Sequence, residues 1–280
     1  MPRIEVNGAN LYYELSGAKR PVFVFVHGGA CDHKDWAHQV RSLSPTYTVL
    51  TFDLRGHGLS NGAFKDCRIE QWAADLNALI EAHKLGPVVL TGHSLGARIV
   101  VEAAWRRPDN VGAIVLLDGS RMYGGYSRNE LSAPRGATPG NQPLSRILDA
   151  TIGPYANSAT RAYIMEKMSS APPALMKAAV DTIEAWDLGS ADTAFAALRP
   201  DLKVLVIQST YHDRFTPRYS LTHGGEMTPY LDFLEAVRPG VEIKILTGAG
   251  HFSMLERSGE VTSLIRDFAL RARRLQPHRQ

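Results

Sequence analysis

A serine hydroxyl attacks a carbonyl only when a neighbouring base removes its proton, so the first residues of interest are a serine on a sharp turn and a histidine that could reach it. Gly92-His93-Ser94-Leu95-Gly96 has the G-x-S-x-G form, between the apolar run Val88-Val89-Leu90 and a helix-like stretch from Ala97 to Ala104. A strand that turns abruptly into a helix leaves no room for flanking side chains, and two glycines meet that need. Strain in such a turn holds the Ser94 hydroxyl out at the end of its strand. Gly250-His251 follows the last apolar run and precedes the last amphipathic stretch, and of the ten histidines only His251 is so placed. An imidazole there takes the serine proton and returns it to the leaving group.

Negative charge collects on the former carbonyl oxygen, and preorganised backbone N–H groups stabilise it. His27-Gly28-Gly29-Ala30, directly after the third strand-like run, and Leu95, the residue after the nucleophile, make Gly29 and Leu95 the expected donors. The acid that orients the histidine has two candidates. Asp213, after the seventh strand, is expected first, because the chain order serine, aspartate, histidine with the acid after the penultimate strand is the common one. Asp118, after the sixth strand, is the alternate, and Glu226 is a remote third. Asp53-Leu54-Arg55-Gly56-His57-Gly58 reads as a tight turn pinned by its carboxylate and guanidinium, without chemistry. Trp36 and Trp186 are candidate substrate-binding residues.

The elements that must position these groups follow from the apolar pattern. Ile4 to Val6 and Ala9 to Leu15 flank Asn7-Gly8, a hairpin signal that opens the sheet with an antiparallel edge. Val22 to Val26, Val49 to Phe52, Val88 to Leu90, Ala113 to Leu117, Val204 to Ile207 and Ile243 to Leu246 are apolar runs of the kind that parallel central strands require. Ile69, Trp72, Ala73, Leu76, Leu79 and Ile80 fall on one helix face, and Val261, Leu264, Ile265, Phe268 and Ala272 on another. The prediction is an α/β fold: a doubly wound, mostly parallel eight-stranded sheet with helices on both faces. Between Leu117 and Val204 there is no strand-like run. Residues 121–200 are therefore expected to form a helical lid inserted into a core of 1–120 and 201–280, with one helix carrying Leu175, Ala179, Ile183 and Trp186 and ending at Gly189.

Taken in order, His27-Gly28-Gly29, Asp53-Leu54-Arg55-Gly56-His57-Gly58-Leu59-Ser60, Gly92-His93-Ser94-Leu95-Gly96 and Gly250-His251 resemble the α/β-hydrolase fold family, in its lid-bearing esterase, lactonase and C–C hydrolase branch. The resemblance covers nearly the whole chain. It departs from the family after the seventh strand, where Ser209 stands in place of the usual glycine and one extra residue precedes Asp213.

Composition narrows the partners. The 280-residue chain is 44% hydrophobic and carries a net charge of +3 from 31 basic and 28 acidic side chains, so neither nucleic acid nor an acidic-substrate field is implied. Cys31 and Cys67 form no metal or disulfide pattern, and no metal or organic cofactor is expected. No stretch approaches the roughly 20 apolar residues of a membrane span, and no leader is recognised, so a cytoplasmic monomer or homodimer is expected. A serine at the elbow, in place of aspartate, argues against dehalogenase and epoxide-hydrolase chemistry. The eight basic and seven acidic residues of 121–200 advertise no charged substrate. The expected reaction is hydrolysis of a small to medium, fairly apolar acyl or aryl ester, or a lactone, through an acyl-enzyme. C–C bond hydrolysis of a diketone, amide cleavage, perhydrolysis and a slow-turnover ligand receptor are the alternatives.

Overall fold

Asn7 and Gly8 both have positive φ, 47° and 74°, the backbone of a two-residue hairpin turn. They join β1 (Arg3–Val6) to β2 (Ala9–Ser16), which pair antiparallel. The computed structural model describes residues 2–125 and 151–274. The remaining strands of the main sheet are β3 (Val22–Val26), β4 (Thr48–Phe52), β5 (Val88–His93), β6 (Val111–Leu117), β7 (Lys203–Gln208) and, further on, β10 (Glu242–Ile245). The eight lie in the order β1-β2-β4-β3-β5-β6-β7-β10. From β4 to β10 every pairing is parallel. The chain first winds outward through β4, then returns across β3 to β5, which leaves a crevice at the carboxyl ends of β3 and β5.

Each central strand feeds two cores. Val22, Val24 and Val26 of β3 pack on one face with α2 (Ile69–Ala82) and α3 (Leu95–Arg106), whereas Phe23 and Phe25 point to the other. That second face is covered by α1 (Ala37–Leu43) and by the long C-terminal helix. All six apolar positions read on α2 are fully buried, which is what its helical period required.

Between β6 and β7 the described residues contain helices and no strand. They are α4 (Ser158–Ser170), α5 (Pro173–Gly189) and α6 (Ala191–Ala196). Proline at the first turn of α5 lacks only an N–H that would be unpaired there. Leu175, Ala179 and Trp186 bury against the core shared with α2 and α3, and Ile164 of α4 buries against the opposite one. Arg98 of α3 and Asp187 of α5 form a buried two-pronged ion pair, with nitrogen–oxygen distances of 2.8 and 2.9 Å. Asp187 also accepts from the backbone N–H of Met122, at 2.7 Å.

After β7 comes a short antiparallel ribbon of β8 (Thr210–Tyr211) and β9 (Tyr219–Ser220). Then come α7 (Pro229–Val237), β10, α8 (Ser253–Glu256) and α9 (Ser258–Arg274). Cys31 and Cys67 are buried free thiols. Among the described residues no helix is long and apolar enough to cross a membrane.

Candidate active site

Ser94 lies between the end of β5 and the first residue of α3, with φ 55° and ψ −113°. Non-glycine residues rarely adopt such a backbone, and its surroundings enforce it. A Cβ on Gly96 would stand 2.5 Å from the carbonyl oxygen of Val26, and one on Gly92 would collide with the Gly96 carbonyl. The turn is therefore wedged against β3, and Ser94 remains partly exposed while its neighbours on both sides are buried.

The Gly28-Gly29 loop runs past this turn. A Cβ on Gly28 would come within 3.3 Å of the Ser94 Cβ, and one on Gly29 within 3.7 Å of Leu95. Gly29 is partly exposed. Leu95 opens α3, and the first amides of a helix have no intrahelical acceptor, so its N–H is disposed to meet an anion. His27 secures the loop from behind: its Nδ1 donates to Gly28 O at 2.8 Å and its Nε2 accepts from Leu54 N–H at 3.0 Å. Burial lowers its pKa.

His251 sits on the loop between β10 and α8. Its own N–H donates to Thr151 O at 2.8 Å. The Glu256 carboxylate accepts from Gly250 N–H at 2.9 Å. His93, the residue before Ser94, donates from Nε2 to the His251 carbonyl at 2.9 Å, and the two rings lie 4.6 Å apart. The residue preceding Ser94 thus ties the histidine loop to the elbow.

The carboxylate in contact with His251 Nδ1 belongs to Asp118. Asp118 directly follows β6, with φ 47°, and the Ser94 N–H donates to the carbonyl of Leu117 beside it, at 3.0 Å. Its Oδ1 accepts from the N–H groups of Ser209 and Thr210, at 2.9 and 2.8 Å, and its Oδ2 accepts from the Thr210 hydroxyl at 2.7 Å. The Ser209 hydroxyl reaches both Oδ1, at 3.0 Å, and the carbonyl of Gly250, at 2.8 Å. The fully buried carboxylate is thus wrapped by the start of the β8 ribbon.

This corrects the expectation for Asp213. Its Oδ1 accepts from the N–H groups of Phe215 and Thr216, at 2.8 and 2.6 Å, and its Oδ2 from the Tyr211 hydroxyl at 2.6 Å. These bonds close a local turn beyond β8. Ser209, which departs from the family pattern, and Thr210 beside it supply hydroxyls that fold the chain over Asp118, and the ribbon that follows carries Asp213 onward. Those hydroxyls were the signal that the sequence reading passed over. Glu226 accepts from Thr222 in its own loop.

The two tryptophans also need correcting. Trp36 is wholly buried against Phe25, with ring centroids 4.8 Å apart, and Trp186 is buried with its Nε1 donating to Glu102 at 2.9 Å. Both are core side chains, the usual fate of so large an apolar surface. Asp53 and Arg55 are structural as expected. The Asp53 carboxylate accepts from His33 and from Leu59 N–H, each at 2.7 Å, and Arg55 forks onto Asp75 at 2.8 and 2.9 Å. Asp32, His33 and Asp53 cluster closely enough to suggest metal ligands. However, the His33 ring is bonded to Asp53, and Lys167 of α4 pairs with Asp32 at 2.7 Å. These contacts account for the cluster.

The sequence profile of the alpha/beta hydrolase family matches residues 23–264, most of the chain. The chain belongs to the alpha/beta hydrolase family. This alpha/beta hydrolase is similar to the enol-lactonase from Burkholderia xenovorans LB400, with a TM-score of 0.74 at 25% identity over 96% of this chain and 100% of that one. It shares its fold with Est816, described as an N-acyl homoserine lactone degrading enzyme, at a TM-score of 0.75, 22% identity, and coverage of 95% and 100%. Among curated relatives, pyrrolizixenacetamide deacetylase of Xenorhabdus hominickii is 34% identical over 118 residues, which are 42% of this chain and 44% of that protein. In this and six other curated relatives matched at 30% identity or more, the match spans less than half of the relative's length.

Proposed function

We propose that this alpha/beta hydrolase cleaves carboxylic esters, including lactones, of small to medium and fairly apolar acyl or aryl groups. The observation that carries the reading is the His251–Asp118 pair on the two loops that flank a serine held in strained backbone geometry. With Nδ1 on Asp118, His251 keeps Nε2 for the Ser94 hydroxyl. Ser94 Oγ adds to the carbonyl carbon as its proton passes to His251, and the N–H groups of Gly29 and Leu95 hold the oxyanion. The C–O bond to the alcohol then breaks, the alcohol takes the proton from His251, and water hydrolyses the acyl-enzyme by the same route. Nucleophile, base and electrophilic donors all come from the chain, so the cycle calls for no metal or organic cofactor.

Residues 121–200, of which 126–150 lie outside the described residues, serve in this reading as a lid on the core of 1–120 and 201–280. One anchor is α4, where Lys167 reaches Asp32 and Asp35, at 2.7 and 2.6 Å, on the segment that continues the Gly28-Gly29 loop. The likeness to an enol-lactonase supports an ester or lactone substrate. The partial match to a deacetylase of an acetamide favours one second reading, cleavage of an amide through the same acyl-enzyme.

Initial rates on p-nitrophenyl esters of increasing acyl length, on simple lactones and on matched anilides test the choice. The ester reading predicts that kcat/KM for esters or lactones exceeds that for the anilides at every acyl length. Anilide turnover without ester turnover would replace it with the amidase reading.

A further inference from the structure

Arg218, the residue before β9, brings a cation to the acid–base pair. Its Nη1 donates to the Thr210 hydroxyl at 2.6 Å, lies 3.0 Å from His251 Nδ1 and stands 3.6 Å from Asp118 Oδ2. A hydroxyl has one proton. With the guanidinium donating to the Thr210 oxygen, that proton is committed to Asp118, to which it donates at 2.7 Å. Nδ1 is itself a donor to Asp118, so Arg218 acts on the ring through its charge.

A carboxylate beside the imidazole favours the protonated ring, whereas a guanidinium at the same distance opposes it. Little water intervenes, because the Arg218 side chain is 13% exposed and that of Asp118 is fully enclosed.

We propose that Arg218 is a positioning residue of the acid–base pair, orienting the Thr210 hydroxyl onto Asp118 and holding His251 in its neutral, proton-accepting form. The proposal rests on the reading of His251 as the base. Burial, and after it the Arg218 charge, hold the His251 pKa well below that of a free imidazole. Burial pushes the Arg218 guanidinium down to about 10, which leaves it a cation at neutral pH. Among the described residues, the other titratable groups beside His251 are His93 on β5 and His212 after β8, while Glu256 of α8 is bonded to the neighbouring Gly250. Burial keeps both of these histidines neutral near pH 7, with His93 lowered to about 3. Burial raises the pKa of Glu256, whose carboxylate is turned to Gly250 N–H. Among the described residues, Arg218 is therefore the cation that opposes protonation of His251.

Long-range 1H–15N NMR of histidine-labelled protein, with His251 assigned from a His251→Asn spectrum, reads the imidazole midpoint in wild type, Arg218→Gln and Arg218→Lys. Arg218→Gln is expected to raise the midpoint by about one pH unit or more, tenfold in proton affinity. Arg218→Lys, which keeps the charge, is expected to hold it near the wild-type value. In parallel, the rate of Ser94 phosphonylation by a fluorophosphonate, scaled to each variant's own alkaline plateau, should lose its acid limb at higher pH in Arg218→Gln. Superimposable His251 titrations in wild type and Arg218→Gln would overturn the proposal, and so would a uniform rate loss with the midpoint unmoved. Failure of the wild type to be phosphonylated would count against the hydrolase reading alone, since the NMR comparison still decides the role of Arg218.

Discussion

Asp118 and His251 are 133 positions apart in the chain, and the carboxylate of one meets Nδ1 of the other at the carboxyl edge of the sheet. The carboxylate that His251 meets therefore comes from the end of β6, with the start of the β8 ribbon wrapped around it.

Replacing Asp118 by asparagine turns an N–H donor toward Nδ1 and favours the wrong imidazole tautomer. The expected loss in kcat is about 10⁴-fold, the scale of the same exchange in a serine protease triad. Asp213→Asn disturbs the turn that its carboxylate closes beyond β8 and should keep kcat within about threefold of wild type, with a stability loss of about 1 kcal/mol. Steady-state kinetics on one activated ester, with urea unfolding for each variant, measure both. A larger kcat loss in Asp213→Asn than in Asp118→Asn would reverse the assignment.

Much of the fold was legible because it rests on local rules. The β3 segment alternates valine and phenylalanine between two cores, and the apolar stripe of α2 is buried throughout. Ser94 and His251 could be placed from turn chemistry, since Gly92, Gly96 and Gly250 each pass too close to other backbone to carry a Cβ. The partner of His251 was not legible in the same way. Asp118 and Asp213 both follow strands, and the choice between them depends on a tertiary feature, the hydroxyls of Ser209 and Thr210 closing over one of them. The tryptophans misled for a related reason: residue type alone does not tell a pocket wall from a core.

Gly96→Ala should strike the fold through the elbow. Its Cβ would press on the carbonyl oxygens of Val26 and His27, at 2.5 and 2.8 Å, and backbone cannot give way cheaply. A loss of about 3 kcal/mol in urea unfolding is expected. Gly189→Ala, at the end of α5 with open space around it, should be neutral or slightly stabilising. Equal effects at the two positions would contradict the packing described for the elbow.

Breaking the Arg98–Asp187 pair should loosen α5 from α3. Arg98→Met leaves a buried carboxylate without its cation and is expected to cost about 3–5 kcal/mol. Adding Asp187→Asn to that variant removes the stranded charge while keeping an acceptor for the Met122 amide, and should restore at least half of the loss. Urea midpoints of the single and double variants give the comparison, and no recovery in the double variant would mean that the charge is not what makes the pair matter.

Acid should destabilise the protein as the pH falls below about 6.5. His57 and His93 are buried, and burial lowers each pKa to about 3, against 6.5 for a free imidazole. Between those values the unfolded chain binds more protons than the folded one, so stability rises with pH across that window and falls as pH drops below about 6.5. At pH 5 each histidine should account for about 2 kcal/mol of lost stability. Calorimetric Tm values from pH 8 to pH 5 should fall steeply below neutrality, and a flat profile would contradict neutral burial of these rings.

The most direct test of the central claim is the intact mass of the protein, quenched in acid within milliseconds of mixing with excess p-nitrophenyl acetate or butyrate, followed by peptide mapping. Formation of an acyl adduct on Ser94, matched in amount to a burst of p-nitrophenol and lost in Ser94→Ala along with about 10⁶-fold in kcat, is the predicted result. Turnover of the same ester with no acyl group on Ser94, or an undiminished kcat in Ser94→Ala, would contradict it.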